Sequence, residues 1–166
     1  MTVLVVDDDQ EVRLMCREAL RSDGYRVLEA DNGQTALHII EDWGEALDLV
    51  VTDLGMPRID GCEVAEVLSI FRPDLPVLAM TGDPWRADRR LPTLLKPFAF
   101  EELIEAARLL RQRAVAMQVR VVEQRERARL ARRIAADMQA RVTALRNRVD
   151  LVSVALELRR LERVGR

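Results

Sequence analysis

Lysine is almost missing from this chain: against 25 arginines there is one, Lys96. Cysteine is nearly as scarce. Cys16 and Cys62 lie far apart and match neither a disulfide framework nor a zinc pattern, so both are read as reduced core thiols. No apolar run is long enough to span a bilayer. The N-terminal run Val3–Val6 is too short for a signal peptide and leads straight into three aspartates. These absences make a soluble cytoplasmic protein, with no membrane association, the expectation. Glycine and proline are both missing from residues 98–164, which excludes turn-rich structure there. The overall charge of −2 conceals a split. Residues 1–100 hold 10 basic and 19 acidic residues, and residues 101–166 hold 16 and 9, so a −9 segment precedes a +7 segment. Two parts of opposite charge suggest two physical roles.

The first hundred residues alternate short apolar runs with amphipathic stretches. The pattern predicts strands over Thr2–Val6, Tyr25–Ala30, Leu47–Thr52, Pro76–Met80 and Thr93–Leu95. It predicts helices over Gln10–Leu20, Thr35–Trp43 and Gly61–Phe71, the last closed by Pro73. Strands this apolar, separated by helices, argue for an α/β fold: a doubly wound, five-stranded parallel sheet covered on both faces. In such a sheet ligands bind beyond the carboxyl ends of the strands.

Polar residues collect at those ends. Asp7 and Asp8 follow the first strand, Asp53 the third, Thr81 the fourth and Lys96 the fifth. Converging carboxylates repel, and each resists ionisation. A divalent cation relieves this, and oxygen-only ligands favour a hard ion such as Mg²⁺, which accepts one or two carboxylates, water and phosphate oxygens. Lys96 also stands out because a chain so biased to arginine retains lysine where a compact ammonium is needed. Taken singly, Asp53 ahead of Gly55 and Pro57 reads as a turn residue, and Asp7–Asp8 as a helix N-cap cluster. Taken together with the other positions, the metal reading is preferred, and Asp9 is the expected cap. Lys96-Pro97 is a candidate cis peptide.

Four segments, VLVVDDD (3–9), VVTDLGMPRIDG (50–61), MTGD (80–83) and LLKPF (94–98), resemble the signatures of two-component response-regulator receiver domains over roughly residues 1–112. The resemblance implies a flavodoxin-like receiver with strand order 2-1-3-4-5. It implies that Asp53 accepts a phosphoryl group from a phosphohistidine on a partner kinase. Asp8 and Asp53 would bind Mg²⁺ directly, Asp7 through water, and Gly55 through its carbonyl. Thr81 and Lys96 would hold the phosphoryl oxygens. Phosphoryl transfer asks mainly for an in-line nucleophile and neutralised equatorial oxygens, which this set can supply. Such a domain is a phosphoacceptor that assists its own phosphorylation and dephosphorylation, rather than an enzyme acting on a separate substrate. The sole histidine, His38, lies mid-helix and is read as structural, so the phosphodonor is another protein: a histidine kinase or phosphotransfer protein.

The pattern departs from the family in one region. Receivers usually place Tyr or Phe three residues before the lysine, where this chain has Thr93. Segment 82–90 is short and broken by Pro84, so the fourth helix is expected to be short, irregular or missing, as in receivers fused to hybrid kinases. Trp85 could replace some of the lost packing or act as a plain hydrophobic plug.

The remaining residues, 113–166, read as a helical tail for dimerisation or partner binding, either one long helix or a hairpin bent near Glu123–Arg129. A heptad register from Phe100 makes sixteen of nineteen a and d positions apolar, including Val142, Leu145, Val149, Val152 and Leu156. A homodimer through this tail is expected. Apolar residues off the seam, such as Leu130 and Ile134, would suit a four-helix arrangement. ERARLARRIAADMQARVTAL (126–145) is faintly similar to a histidine-kinase dimerisation helix, with Ala135 where the phosphorylated histidine would fall. Nucleic acid is a weaker candidate partner: the tail is basic, but it has no aromatic platform and no helix-turn-helix punctuation. Three outputs remain in play: a switch acting through the tail, a phosphorelay intermediate or phosphate sink with a purely dimerising tail, and a DNA-binding regulator.

Overall fold

The computed structural model describes residues 1–87 and 90–164, with side chains described through residue 140 and at Thr143. It contains β1 (Thr2–Val6), α1 (Gln10–Ser22), β2 (Arg26–Ala30), α2 (Gly33–Trp43), β3 (Leu49–Asp53), α3 (Gly61–Phe71), β4 (Val77–Thr81), β5 (Thr93–Leu95) and α4 (Phe100–Val164). The chain divides into two units, Met1–Gln118 and Val119–Arg166.

In the first unit the strands form one parallel sheet in the order β2-β1-β3-β4-β5. Every residue of β1, β3 and β4 is buried, which is why Val3–Val6, Leu49–Val51 and Val77–Met80 read as continuous apolar stretches and not as alternating ones. Successive side chains still point to opposite faces. Val3 and Val5 pack with Cys16, Leu20, Leu103 and Ala107 from α1 and α4. Leu4 and Val6 pack on the other face with Ala36, Ile40, Val64 and Leu68 from α2 and α3. Buried Leu103, Ala107 and Leu110 follow the i, i+4, i+7 spacing of a core-facing helical stripe, so the first turns of α4 belong to the core.

Several boundaries differ from the sequence reading. β3 and β4 each run one residue further, so Asp53 and Thr81 end their strands instead of following them. Parallel pairing to β4 and β5 holds both in register: Asp53 opposite Met80, and Thr81 opposite Leu95. β2 starts at Arg26, and β3 at Leu49, later than expected. Helix α2 begins two residues early because the Asn32 side chain caps it by accepting from Thr35 N–H at 2.8 Å. Between β4 and β5 the described residues hold only a 3-10 turn, Pro84–Arg86. Asp83 starts it by accepting from Trp85 N–H. Trp85 is 96% exposed, so it neither fills the place of a missing helix nor plugs the core. The Lys96-Pro97 peptide is cis.

The second unit is the continuation of α4. The helix runs through Glu123–Arg129 without interruption, so the hairpin alternative is not adopted. Along it Leu130, Ile134 and Met138 are exposed. The seam expected at Val142, Leu145, Val149, Val152 and Leu156 concerns side chains outside the described residues. Among the described residues no helix is long and apolar enough to cross a membrane.

Candidate functional site

The sheet's order reverses between β1 and β3: the chain leaves β1 for β2 on one side and returns to β3 on the other. The carboxyl ends of these two strands therefore border the crevice where doubly wound folds bind ligands. Asp7, Asp8 and Asp53 meet there, each offering a carboxylate oxygen within 4.8 Å of the others. Asp7 and Asp53 are buried and Asp8 is exposed.

Local structure aims each group. Asp9 caps α1 by accepting from Glu11 N–H at 2.8 Å, as expected. Asp7 Oδ1 accepts from Asp9 N–H at 2.9 Å, and Arg13 donates to the Asp7 carbonyl at 2.7 Å. Gly61 opens α3 against Asp53; a Cβ there would collide with the Asp53 carbonyl, so only glycine lets the helix start so close.

Lys96 is the one cation in direct contact with two of the three carboxylates among the described residues. Its Nζ lies 2.6 Å from Asp7 Oδ2 and 2.8 Å from Asp53 Oδ1. Burial pushes the Asp7 carboxyl above its ordinary range, against the opposing pull of the Lys96 hydrogen bond. Burial also works against a charged Lys96, but the hydrogen bonds to Asp53 and Asp7, together with the negative charge of both, outweigh it and hold the ammonium above its usual range. Gly55 N–H donates to Asp53 Oδ2 at 2.8 Å. Thr81, 1% exposed, has its hydroxyl tied to Asp83: it accepts from Asp83 N–H at 3.1 Å and lies 3.3 Å from the Asp83 carbonyl.

Sequence reading named Asp7, Asp8, Asp53, Gly55, Thr81 and Lys96. Asp7, Asp53, Gly55 and Lys96 are linked by the contacts above, and Asp8 joins through the carboxylate cluster. Thr81 ends the neighbouring strand, bonded within its own loop. The sequence pattern points to neither of two arginines found here: Arg13, and Arg86, which donates to the Leu54 carbonyl at 2.6 Å. Nothing marks either among so many arginines. Three carboxylates against one ammonium leave two formal negative charges uncompensated, and every available donor is a hard oxygen. That donor set fits a divalent cation of the Mg²⁺ class.

Fold and site together define a flavodoxin-like domain with an acidic pocket at its switch point. Residues 3–108 match the response regulator receiver domain family, and the chain belongs to that family. It is 41% identical over 121 residues to response regulator MprA of Mycolicibacterium vanbaalenii, covering 67% of this chain and 50% of that protein. The chain thus spans about half the length of the curated relatives it matches. Among solved structures, a receiver domain protein from Clostridium thermocellum superposes with a TM-score of 0.65 at 25% identity, over 70% of this chain and 98% of that one. Response regulator TrrA from Thermotoga maritima, solved in complex with Mg²⁺-BeF, superposes with a TM-score of 0.57 at 32% identity, over 66% and 97%.

Proposed function

We propose that this chain receives a phosphoryl group on Asp53 from a histidine kinase or phosphotransfer protein and passes the signal on through its helical tail. The observation that carries this reading is the buried Asp53 carboxylate, placed beside Asp7 and Asp8 and contacted by Lys96 at 2.8 Å. Residues 1–112 serve as the receiver and residues 113–166 as the dimerising, partner-binding tail. Asp7, Asp8 and Asp53, with the Gly55 carbonyl, would hold Mg²⁺, which when bound supplies positive charge against the phosphoryl oxygens. An Asp53 oxygen attacks phosphorus as the P–N bond of the donor phosphohistidine breaks. The electron pair stays on the imidazole, and Asp53 becomes an aspartyl phosphate. Lys96 then pairs with the new phosphoryl oxygens, and Thr81 turns its hydroxyl from Asp83 to donate to one of them. The complex of TrrA with Mg²⁺-BeF supports an ion of this kind on the same fold.

Thr93 favours a second reading, a phosphorelay intermediate or phosphate sink. It is not aromatic, and its hydroxyl donates to Leu91 at 2.9 Å. The first test is labelling. A small phosphodonor with Mg²⁺ labels Asp53 of the wild-type chain, and Asp53→Asn abolishes the label. Full labelling of the Asn variant moves the acceptor elsewhere. Comparing oligomeric state with and without phosphodonor and Mg²⁺ then separates the two readings, since a switch through the tail responds and a sink does not.

A further inference from the structure

Both oxygens of the Asp53 carboxylate are held, and by different groups. Lys96 Nζ lies 2.8 Å from Oδ1, and Gly55 N–H donates to Oδ2 at 2.8 Å. That N–H belongs to the peptide joining Leu54 to Gly55. The carbonyl of the same peptide accepts from Arg86 Nη1 at 2.6 Å. A peptide unit is planar and resists twisting, so holding the carbonyl also sets the direction of the N–H. A cationic donor on the carbonyl further polarises the amide and strengthens its N–H as a donor.

Arg86 reaches this carbonyl because of the shortened β4–β5 connection. Asp83 N–H bonds Thr81 Oγ1, Asp83 caps the 3-10 turn, and Arg86 N–H closes the turn onto the Asp83 carbonyl at 3.0 Å. The turn therefore begins at one site residue and delivers its arginine to the loop behind another. A second contact, from Arg86 to Asp60, is longer at 3.8 Å and goes to the cap of α3.

We propose that Arg86 is a positioning residue for phosphoryl transfer at Asp53, acting through the Leu54–Gly55 peptide to fix the orientation of the nucleophile. Arg86 acts on the carboxylate through one peptide unit and makes no ion pair with it. This role rests on the phosphoacceptor reading above. The Arg86 side chain is 51% exposed, so solvent screens its charge and the effect is moderate. Leu54 and Met56 are buried, which keeps the loop packed when Arg86 is removed.

The test uses the full chain, with acetyl phosphate and Mg²⁺ as the probe. In Arg86→Ala the maximal rate of Asp53 labelling falls on the order of 3- to 10-fold, while the half-saturating acetyl phosphate concentration is unchanged. Arg86→Lys recovers most of the rate, because one cationic donor on one carbonyl suffices. Asp60→Asn, which retains the capping oxygen but loses the charge, labels like wild type. A second measurement needs no labelling: the Gly55 amide proton resonance moves upfield in Arg86→Ala and stays in place in Asp60→Asn. Wild-type labelling by Arg86→Ala overturns the role. So does a change in half-saturation alone, which would put Arg86 on the donor, or an Arg86→Lys variant as slow as Arg86→Ala. A Gly55 resonance that stays in place in Arg86→Ala overturns it independently. A wild-type chain that takes no label at Asp53 brings down the phosphoacceptor reading, and this role with it.

Discussion

At the scale of single residues, Lys96 shows how scarcity and geometry agree. The chain's sole lysine lies between two carboxylates, with Nζ 2.6 Å from Asp7 and 2.8 Å from Asp53. An ammonium is a compact charge that can bridge two oxygens at the ends of different strands; a guanidinium is planar, larger and pairs best with one carboxylate through a coplanar, bidentate fork. Lys96→Arg therefore preserves the charge but loses the fit, and Asp53 labelling by a small phosphodonor should slow by about tenfold or more, since small displacements of a reacting group have large kinetic costs. Labelling at the wild-type rate would show that charge alone matters there. The buried Cys16 is a contrasting case. Burial pushes its thiol up to about 12, so it stays protonated, the behaviour expected of an inert core thiol.

At the scale of elements, α4 has two kinds of surface. Its first turns bury Leu103 and Ala107 completely. Leu103→Ala leaves a cavity against the sheet and should destabilise the receiver by about 2–5 kcal/mol, read as a fall in the denaturant midpoint at constant slope. A shift within experimental scatter would mean that α4 does not pack on the sheet. Arg108 makes the same attachment polar, with Nε 2.8 Å from Asp23 in the turn after α1. The hydrogen bond from Arg108 holds the Asp23 carboxyl below its usual range. A depressed carboxyl contributes stability above its unfolded pKa and loses it as pH falls through the folded one. Asp23→Asn should therefore lower stability slightly at neutral pH, and the two curves should converge in acid, below the ordinary carboxylate range of about 4. A gap that persists unchanged in strong acid would assign the effect to something other than this charge. In the β4–β5 connection the described residues hold a 3-10 turn where the receiver pattern leads one to expect a fourth helix.

At the scale of the whole molecule, the tail presents apolar side chains with nothing described against them. Leu130, Ile134 and Met138 are 59%, 51% and 61% exposed. Apolar stripes of this length are avoided by isolated soluble chains. Each Val or Leu removed from water by a partner helix contributes about 1.5–3 kcal/mol before the cost of ordering, so the five that the heptad register places at Val142, Leu145, Val149, Val152 and Leu156 suffice to hold a dimer. Replacing Leu145 and Val149 by Asp should give monomers that still accept phosphate on Asp53. Light scattering on a chain ending at Arg113 addresses the same interface, and a truncated protein still dimeric at micromolar concentration would sink the tail model.

What the sequence determined by itself was whatever depends on local pattern and on strand ends. Uninterrupted apolar stretches, Val3–Val6, Leu49–Val51 and Val77–Met80, marked β1, β3 and β4, because a sheet covered on both faces presents no solvent-facing side to alternate with the core. Asp7, Asp8, Asp53, Thr81 and Lys96 could be named because a parallel sheet brings every strand's carboxyl end to one edge, whatever the details of the loops. Tertiary structure decided what depends on pairing and on side chains crossing between loops. β3 and β4 extend to include Asp53 and Thr81 because neighbouring strands hold those residues in register. Arg86 meets the Leu54 carbonyl across 32 residues of sequence, and no periodicity in so arginine-rich a chain singles it out. Trp85, read from sequence as a packing residue, is left in solvent because the turn that carries it is set by Asp83 and Pro84. Composition can show that a residue is able to pack, but whether a surface waits for it depends on the backbone around it.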